Sequence, residues 1–211
     1  MKSGLLLFCQ HAYPASLKGA CGQNNLKTLR DFIQTGRQPK NLRQMLLSFP
    51  NAVKSLKRLS RQFGIKDIFD YRLVEAYWLG NSLLESFPKN KKPFHLASLL
   101  QNLKPALKKD LPCGVKLLEN CRISYGQIVS IEKPISQKEK IGKAAIIEYN
   151  PLGSREKTVV FQKDKIKKVN FIDSRIKKDD CVSLHHNYIC SILTEKQLIQ
   201  LAGHTLLQLF F

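Results

Sequence analysis

The spacing of apolar residues changes partway along this chain, and that change constrains the fold more than any other feature. Between residues 25 and 87 the apolar residues recur every three to four positions, as on one face of a helix. Between residues 121 and 189 they form short runs separated by glycine, proline, serine and charged residues, a pattern typical of strands. We therefore predict an α+β fold, in which an N-terminal all-helical domain (residues 1–115) precedes a small OB-like β-barrel with a C-terminal helix (residues 116–211).

Capping and helix-breaking residues mark the ends of the expected helices. The second helix ends before Pro50, Asn51 is expected to cap the third, and Gly64 to close it. Asp70 is placed to cap the fourth, which contains Trp78 as the expected core of the helical domain. The predicted helices span residues 26–33, 42–49, 51–64 and 71–87, and a shorter helix at 96–107 is followed by a turn at 112–114.

Residues 1–25 are expected to form a loop, because a proline and several glycines interrupt the helical pattern. His11, Tyr13 and Cys21 would then lie on irregular backbone. Since loops often carry binding residues, Tyr13 and Cys21 are candidate partner-binding residues. The alternative for Cys21 is a small buried thiol that packs at the entrance of the domain.

The predicted barrel contains four strands, and the last carries a candidate histidine. Side chains alternate between the two faces of a strand, so Val182 and Leu184 share the apolar face. Cys181, Ser183 and His185 are therefore expected to point away from the core. The strands are expected at residues 121–129, 143–149, 158–162 and 180–189.

A capping box predicts the start of the closing helix. Thr194 and Gln197 have the spacing at which each side chain satisfies the other residue's backbone N–H. The apolar residues of this helix are expected to cover the barrel; they are Leu198, Ile199, Leu201, Leu206, Leu207 and Leu209.

The net charge of +19 favours acidic partners such as nucleic acid, an anionic membrane surface or an acidic protein. The excess lies mainly before Glu119, where 20 basic residues accompany 6 acidic ones. The third predicted helix carries four basic residues on its polar side, which suits either phosphate binding or a solvated face; they are Lys54, Lys57, Arg58 and Arg61.

The six cysteines are expected to be reduced, because the sequence shows neither an export signal nor an apolar run long enough to span a membrane. We therefore predict a cytoplasmic protein without membrane insertion. A catalytic function is not favoured, because the sequence lacks a glycine-rich phosphate loop, a serine nucleophile elbow and paired carboxylates at helical spacing.

Cys121 and His185 are the candidate chemical groups of the barrel. A thiolate and an imidazole suit a soft or borderline transition metal such as iron, copper or zinc, and they also suit a cysteine–histidine nucleophile pair. Cys181, His185, His186 and Cys190 resemble a zinc ligand set in composition. Strand alternation argues against zinc, because it places the first two on one face and the last two on the other.

The segment from Cys121 to about residue 203 resembles the small hydrogenase maturation chaperones of the HypC, HybG and HupF family. Those proteins have a cysteine, four residues, then glycine, a polar or basic residue and a following valine; here Cys121, Gly126 and Val129 keep that spacing. The family's Gly-Asp-Tyr-Val-Leu-Val-His segment corresponds to residues 179–185, and an aromatic residue and a final helix follow in both cases.

The resemblance implies a function in hydrogenase assembly. Cys121 would correspond to the essential cysteine of the family and His185 to its histidine. Cys121 would hold iron carrying cyanide and carbonyl ligands, or bind the precursor of a nickel–iron hydrogenase large subunit, with other maturation proteins as partners. The expected partner-binding residues are Cys21, Tyr13, Gly126, Tyr125 and His186.

Across its whole length, the chain also resembles an uncharacterised bacterial family with a Tyr-Pro and Cys-Gly N-terminal loop, a Val-Glu-Ala-Tyr-Trp helix and a Cys-Arg-Ile segment. Two other functions stay open. One is nucleic-acid binding by the barrel, whose lysines between residues 163 and 178 are interleaved with Phe161, Phe171 and Tyr125. The other is a protein-interaction scaffold that carries no metal.

Overall fold

The computed structural model describes residues 3–19, 26–88, 92–132 and 143–210. It confirms a mixed α+β fold, with helices in the N-terminal half, then a closed five-stranded barrel and a C-terminal helix. Contacts divide the chain into two compact units, residues 1–98 with 199–211, and residues 99–198. The domain boundary expected at residue 115 stays a prediction.

The helices of the described residues are α1 (Gly4–Leu17), α2 (Leu26–Thr35), α3 (Leu42–Leu46), α4 (Pro50–Phe63), α5 (Tyr71–Trp78), a short 3-10 helix (Ser82–Ser86), α6 (His95–Lys109), α7 (Leu111–Cys121) and α8 (Glu195–Phe210). The strands are β1 (Ser124–Glu132), β2 (Lys143–Tyr149), β3 (Leu152–Arg155), β4 (Thr158–Phe161), β5 (Lys165–Phe171), β6 (Cys181–His185) and β7 (Tyr188–Ile192).

Helix α1 corrects the prediction of an N-terminal loop. His11 and Tyr13 lie on this helix and are buried, with exposed fractions of 0% and 3%. The helix is buried on all sides, so tertiary packing offsets the cost of about 3 kcal/mol that Pro14 imposes inside it. Tyr13 is therefore not presented to a partner, and Cys21 lies outside the described residues.

An aromatic cluster forms the centre of the helical unit and confirms Trp78 as a core residue, with 3% of its surface exposed. The His11 ring stacks on Trp78 at a centroid distance of 5.6 Å, and the His95 ring lies 4.9 Å away. Phe8 meets Trp78 edge to face at 5.8 Å. The cluster joins α1, α5 and the start of α6, so three distant parts of the sequence share one core.

Helix α5 begins as predicted and ends earlier. The Asp70 carboxylate accepts a hydrogen bond from the Arg72 backbone N–H at 2.9 Å, which confirms the expected cap. The helix stops at Trp78 rather than at residue 87, because Gly80 adopts a left-handed φ of +81°. A side chain at Gly80 would also overlap the His204 ring. Asn81 then caps the 3-10 helix by accepting from the Leu83 N–H at 3.1 Å.

Two other helix starts differ from the prediction. Phe49, not Asn51, is the N-cap of α4, and Pro50 occupies the first turn, where its missing N–H costs nothing. Gly64 closes α4 with a φ of +63°, as predicted. Helix α7 replaces the turn expected at residues 112–114, because Asp110 caps the helix by accepting from the Cys113 N–H at 3.1 Å.

The barrel closes in the strand order β1-β2-β5-β7-β6, and β3 and β4 form a separate two-stranded sheet. Neighbouring strands are antiparallel except for β5 and β7, which are parallel. Strands β3, β5 and β7 were not predicted; lysines in β5 obscure its apolar alternation. The buried interior consists of Ile128, Ala145, Ile147, Val169, Phe171, Ile176, Val182, Leu184 and Ile189.

Helix α8 begins with the predicted capping box. The Thr194 N–H donates to Gln197 Oε1 at 3.0 Å, and the Gln197 N–H donates to Thr194 Oγ1 at 3.3 Å. The prediction that its apolar residues cover the barrel is wrong for Ile199, which is 64% exposed. Leu206 and Leu207 are exposed as well. Residues 199–210 instead belong to the helical unit, where the His204 ring lies 5.7 Å from Phe94.

None of the helices in the described part of the chain has the length and apolar content that crossing a bilayer requires.

We predict that acid weakens the helical unit through His11. Burial lowers the pKa of His11 to about 4, although its hydrogen bond to the Leu7 carbonyl acts in the opposite direction. The unfolded chain, with an ordinary histidine pKa near 6.5, therefore takes up a proton before the folded chain does. Stability falls as the pH drops from about 6.5 toward 4, and His11 accounts for about 2 kcal/mol at pH 5.

Urea unfolding at pH 7.5 and pH 5 measures this loss. His11→Phe keeps an aromatic ring beside Trp78 and should lose about 2 kcal/mol less than the native protein between the two pH values. Asp67 and Asp70, whose pKa values are lowered by hydrogen bonds to Arg43 and Arg72, stay ionised over this range. Equal losses in the two proteins would contradict the role of His11.

Candidate functional site

Cys121 is the last residue of α7 and is partly exposed, three positions before β1 begins. This corrects the prediction of a strand starting at Cys121; the helical spacing of Val115 and Leu118, both buried, continues to the end of α7. The last carbonyl groups of a helix carry partial negative charge and favour a cation nearby. Cys121 therefore lies at the junction of α7 and β1, with part of its surface open to solvent.

His185 is buried, with 2% of its surface exposed, which corrects the expectation that it is not a core residue. Alternation along β6 is present, but both faces of this strand are covered. On the same side as His185, Ser183 is fully buried and its Oγ lies 2.9 Å from Ser191 Oγ on β7. Strand alternation alone cannot reveal this, because it does not show what lies over the second face.

A two-residue turn brings the two candidate residues to one end of the barrel. His186 and Asn187 connect β6 to β7, and both have left-handed φ values, +47° and +66°, as the favoured two-residue hairpin turns require. The His186 N–H donates to the Asn120 carbonyl at 3.2 Å. Because Asn120 precedes Cys121 and His186 follows His185, this bond joins the two predicted segments.

The register of β1 and β6 supports the same placement. Ser124 pairs with Leu184, so the chain just before β1 and the end of β6 lie at the same barrel end. The rings of His185 and His186 are 4.6 Å apart. Within the part of the chain that the structure describes, no three histidine, cysteine, aspartate or glutamate side chains come together as metal ligands.

Cys181 and Cys190, the two cysteines of the zinc-like set, differ in their exposure to solvent. Cys190 is buried, and burial raises the pKa of its thiol well above the ordinary value. Cys181 is partly exposed and lies at the other end of β6 from His185, roughly 13 Å away along an extended strand. Cys181 and His185 are therefore too far apart along β6 to bind one metal ion.

A cleft of about 200 Å³ is formed by residues of the barrel unit, and Cys121, His185 and His186 do not line it. Two predicted partner-binding residues, Tyr125 and Gly126, do line it. The lining residues are Tyr125, Gly126, Gln127, Glu148, Tyr149, Asn150, Asp164, Cys181 and Leu198. The sequence did not indicate this cleft, because its walls come from separate strands, from loops and from the first turn of α8.

Gly126 is required by the close approach of β1 to β2. A side-chain carbon at this position would lie 2.7 Å from the Glu148 carbonyl oxygen and 3.0 Å from Tyr149 Cβ. The packing of β1 against β2 therefore explains why this chain has glycine at position 126, the position that matches the chaperone motif.

A buried ion pair beside the cleft was missed at the sequence level. Arg122 is 1% exposed, and its Nε donates to Glu119 Oε2 at 2.7 Å. The same carboxylate oxygen accepts from the Leu152 N–H at 2.8 Å, and Arg122 Nη2 donates to the Asn150 carbonyl at 3.1 Å. The signal was a Glu and an Arg three positions apart, which becomes meaningful only once residues 111–121 are known to be helical.

Lys167 and Tyr149 extend this cluster. The Lys167 ammonium lies 5.3 Å from the centroid of the Tyr149 ring. Burial lowers the pKa of Lys167 and raises that of Tyr149. Arg122 Nη1 is buried and has no hydrogen-bond partner among the described residues. The cluster therefore brings two cations and one carboxylate close to Tyr149, which lines the cleft.

The barrel offers less for nucleic-acid stacking than the sequence suggested. Phe171 is fully buried in the interior, and Phe161 is only partly exposed, with the Arg122 guanidinium 5.6 Å from its ring. Tyr125 is partly exposed in the cleft. Phe171 therefore cannot stack on a base while the barrel is folded.

These features define a class of α+β protein in which a helical unit accompanies a closed five-stranded barrel, with a partly exposed thiol where α7 leads into β1. The chain belongs to the family of unknown function DUF6390, whose sequence profile matches residues 1–113 and 94–211. The two overlapping matches cover the whole chain and confirm the expected likeness to an uncharacterised family. No curated protein and no solved structure matches the chain. The matched family is not the chaperone family, whose likeness to the barrel segment stays a prediction.

We predict that Glu119→Ala strongly destabilises the barrel unit, because it leaves the buried Arg122 charge without its carboxylate. The expected loss is about 3–5 kcal/mol in urea unfolding. Glu132→Ala is the matched control, since Glu132 pairs at 2.6 Å with Lys168, whose side chain is 54% exposed. That variant should lose about 1 kcal/mol or less. Similar losses in the two variants would show that the buried pair of Glu119 and Arg122 contributes no more to stability than an exposed ion pair.

We predict opposite effects for alanine at two glycines. Gly126→Ala should destabilise the protein by about 1–3 kcal/mol, because the added carbon meets the β2 backbone. Gly203→Ala should stabilise it by about 0.5–1 kcal/mol, because a Cβ there has no atom within 4 Å and alanine favours the helix. Thermal and urea unfolding measure both changes, and a neutral Gly126→Ala would refute the packing argument.

Proposed function

We propose that this protein is an assembly factor that uses the Cys121 thiol to hold a metal centre and pass it to a partner protein. The observation that carries the proposal is the hydrogen bond between Asn120 and His186, which joins the Cys121 segment to the histidine turn at one barrel end. The resemblance to the hydrogenase maturation chaperones supplies the expected cargo, iron with cyanide and carbonyl ligands. The expected partners are other maturation proteins and the precursor of a nickel–iron hydrogenase large subunit.

The chemistry of the site suits a carrier better than a permanent metal centre. A thiolate is a soft ligand that binds iron and exchanges with cysteines of another protein. A centre held by few protein ligands keeps coordination positions for small ligands and for the receiving protein. The partial exposure of Cys121 supports access by that protein.

The histidines have supporting roles in this proposal. His185 is buried and its ring lies against His186, so its ring position is set by packing. His186 lies in the tight turn, where its backbone is bonded to Asn120. Either imidazole would donate a hydrogen bond to the cargo or serve as a second ligand, and Cys121 remains the primary ligand.

The test is the metal content and infrared spectrum of protein purified without oxygen from cells that produce the hydrogenase maturation proteins. We expect iron together with cyanide and carbonyl stretching bands, both lost in Cys121→Ala. Cys113→Ala is the matched control, because Cys113 is an exposed thiol on the same helix and has no assigned role. A native protein without iron and bands, or a Cys121→Ala protein that retains as much iron as the control, would refute the proposal.

A further inference from the structure

Helix α4 carries a stripe of basic side chains that faces solvent. The residues are spaced at i, i+3, i+4 and i+7, so they follow one side of the helix over about 10 Å. The opposite side is buried in the helical unit through residues such as Val53, Leu56 and Leu59, which fixes the direction in which the stripe points. The basic stripe consists of Lys54, Lys57, Arg58 and Arg61.

The positive charge of the basic stripe is not neutralised by neighbours. Helix α4 contains no acidic residue, and none of the four side chains takes part in an ion pair among the described residues. Four of the five carboxylates of the helical unit have other contacts. Asp67 pairs with Arg43 at 2.6 Å, and Asp70 caps α5 and pairs with Arg72 at 2.9 Å.

Two further carboxylates of the helical unit also have partners away from the basic stripe. Asp31 lies 3.6 Å from Arg30, its neighbour in sequence. Glu75 accepts hydrogen bonds from the Tyr71 hydroxyl at 2.9 Å and from the Asn81 amide at 3.2 Å. The fifth carboxylate, Glu85, is exposed and forms no ion pair with the stripe among the described residues, so no carboxylate of the unit is paired with the four cations.

One member of the basic stripe is held in place before binding. The Arg58 guanidinium lies 4.9 Å from the centroid of the Phe87 ring, within the range of a cation–π contact. A planar guanidinium positioned in this way donates several hydrogen bonds to phosphate oxygens, with less loss of side-chain freedom than a mobile chain. Lys54, Lys57 and Arg61 are exposed and add charge on both sides of it.

We propose that the basic stripe binds the phosphodiester backbone of double-stranded nucleic acid without reading its bases. Helix α4 exposes no large apolar side chain that would insert into a lipid surface, since its apolar residues pack inward. Its one aromatic residue, Phe63, packs against Phe87 at 6.1 Å, so the stripe has no free platform for the unstacked bases of a single strand. Regularly spaced cations with neither feature match the backbone of a duplex.

This binding function is independent of the thiol of Cys121. The proposal also places the nucleic-acid contact on the helical unit and not on the barrel lysines. Two variants that each lose three positive charges, one on each unit, distinguish these two contact surfaces. Lys54, Lys57 and Arg61 are replaced by glutamine in one triple variant. Lys163, Lys177 and Lys178, all exposed on the barrel unit, are replaced by glutamine in the other.

The measurement is fluorescence anisotropy of a labelled duplex of about two helical turns, as DNA and as RNA, at several salt concentrations, with the native chain and both variants. Both triple variants lose three positive charges, so a nonspecific effect of net charge lowers their affinities equally. If α4 is the contact, the Lys54/Lys57/Arg61 variant loses at least about tenfold in affinity near 0.1 M salt. Its slope of log K against log salt should also fall by about 2–3, while the barrel variant changes little.

Several outcomes would overturn the proposal. Equal losses in the two variants would assign binding to net charge, and a larger loss in the barrel variant would assign it to the barrel. Tighter binding of a single strand than of the duplex, or of vesicles containing phosphatidylserine, would assign the stripe to another anionic partner. Circular dichroism and thermal unfolding of each variant show whether the fold is retained. If the stripe variant does not fold, the single variants Lys54→Gln and Arg61→Gln, compared with Lys163→Gln, make the same comparison.

Discussion

The buried ion pair between Glu119 and Arg122 is the interaction on which the barrel unit depends. One carboxylate oxygen receives both the Arg122 guanidinium and the Leu152 N–H, and the guanidinium also reaches the Asn150 carbonyl. These contacts connect the end of α7 to the end of β2 and the start of β3. Because an uncompensated buried charge is costly, all the partners must be in place together. Arg122, the residue after Cys121, is therefore fixed by the packing of the barrel unit, and this constrains the position of the Cys121 thiol.

Several features governed by neighbours in sequence were predicted correctly, although the N-cap of α4 and the start of α7 were not. The Asp70 cap, the Gly64 helix end and the capping box of Thr194 and Gln197 depend on a few adjacent residues, and the structure contains each of them. The fold class followed from periodicity in the same way. Features governed by distant contacts were predicted poorly. Pro14 is a strong local signal against helix, yet α1 is helical because it is surrounded by the rest of its unit.

The candidate site shows the same division. The sequence indicated Cys121 and His185 through residue type and spacing, and the register of β1 and β6 places their segments at one barrel end. The burial of His185 was missed, because alternation describes a strand and not the layer above it. The cleft was missed since its walls are brought together by barrel closure. Arg122 was counted among the basic residues, although it is among the most buried side chains in the described part of the chain.

Arg122 also shows why net charge has to be located before it is interpreted. Part of the positive charge is buried, because Arg122 lies in the interior and pairs with Glu119. Several carboxylates have structural contacts: Asp70 and Asp110 cap helices, and Asp67 pairs with Arg43. In the helical unit, Asp67 and Asp70 pair with Arg43 and Arg72, so each pair removes one positive and one negative charge from the surface. Helix α4 has no acidic residue and carries four cations on a single element. A row of cations on one side of a helix attracts anions at long range, and this attraction is the physical basis of the nucleic-acid contact that we propose for α4.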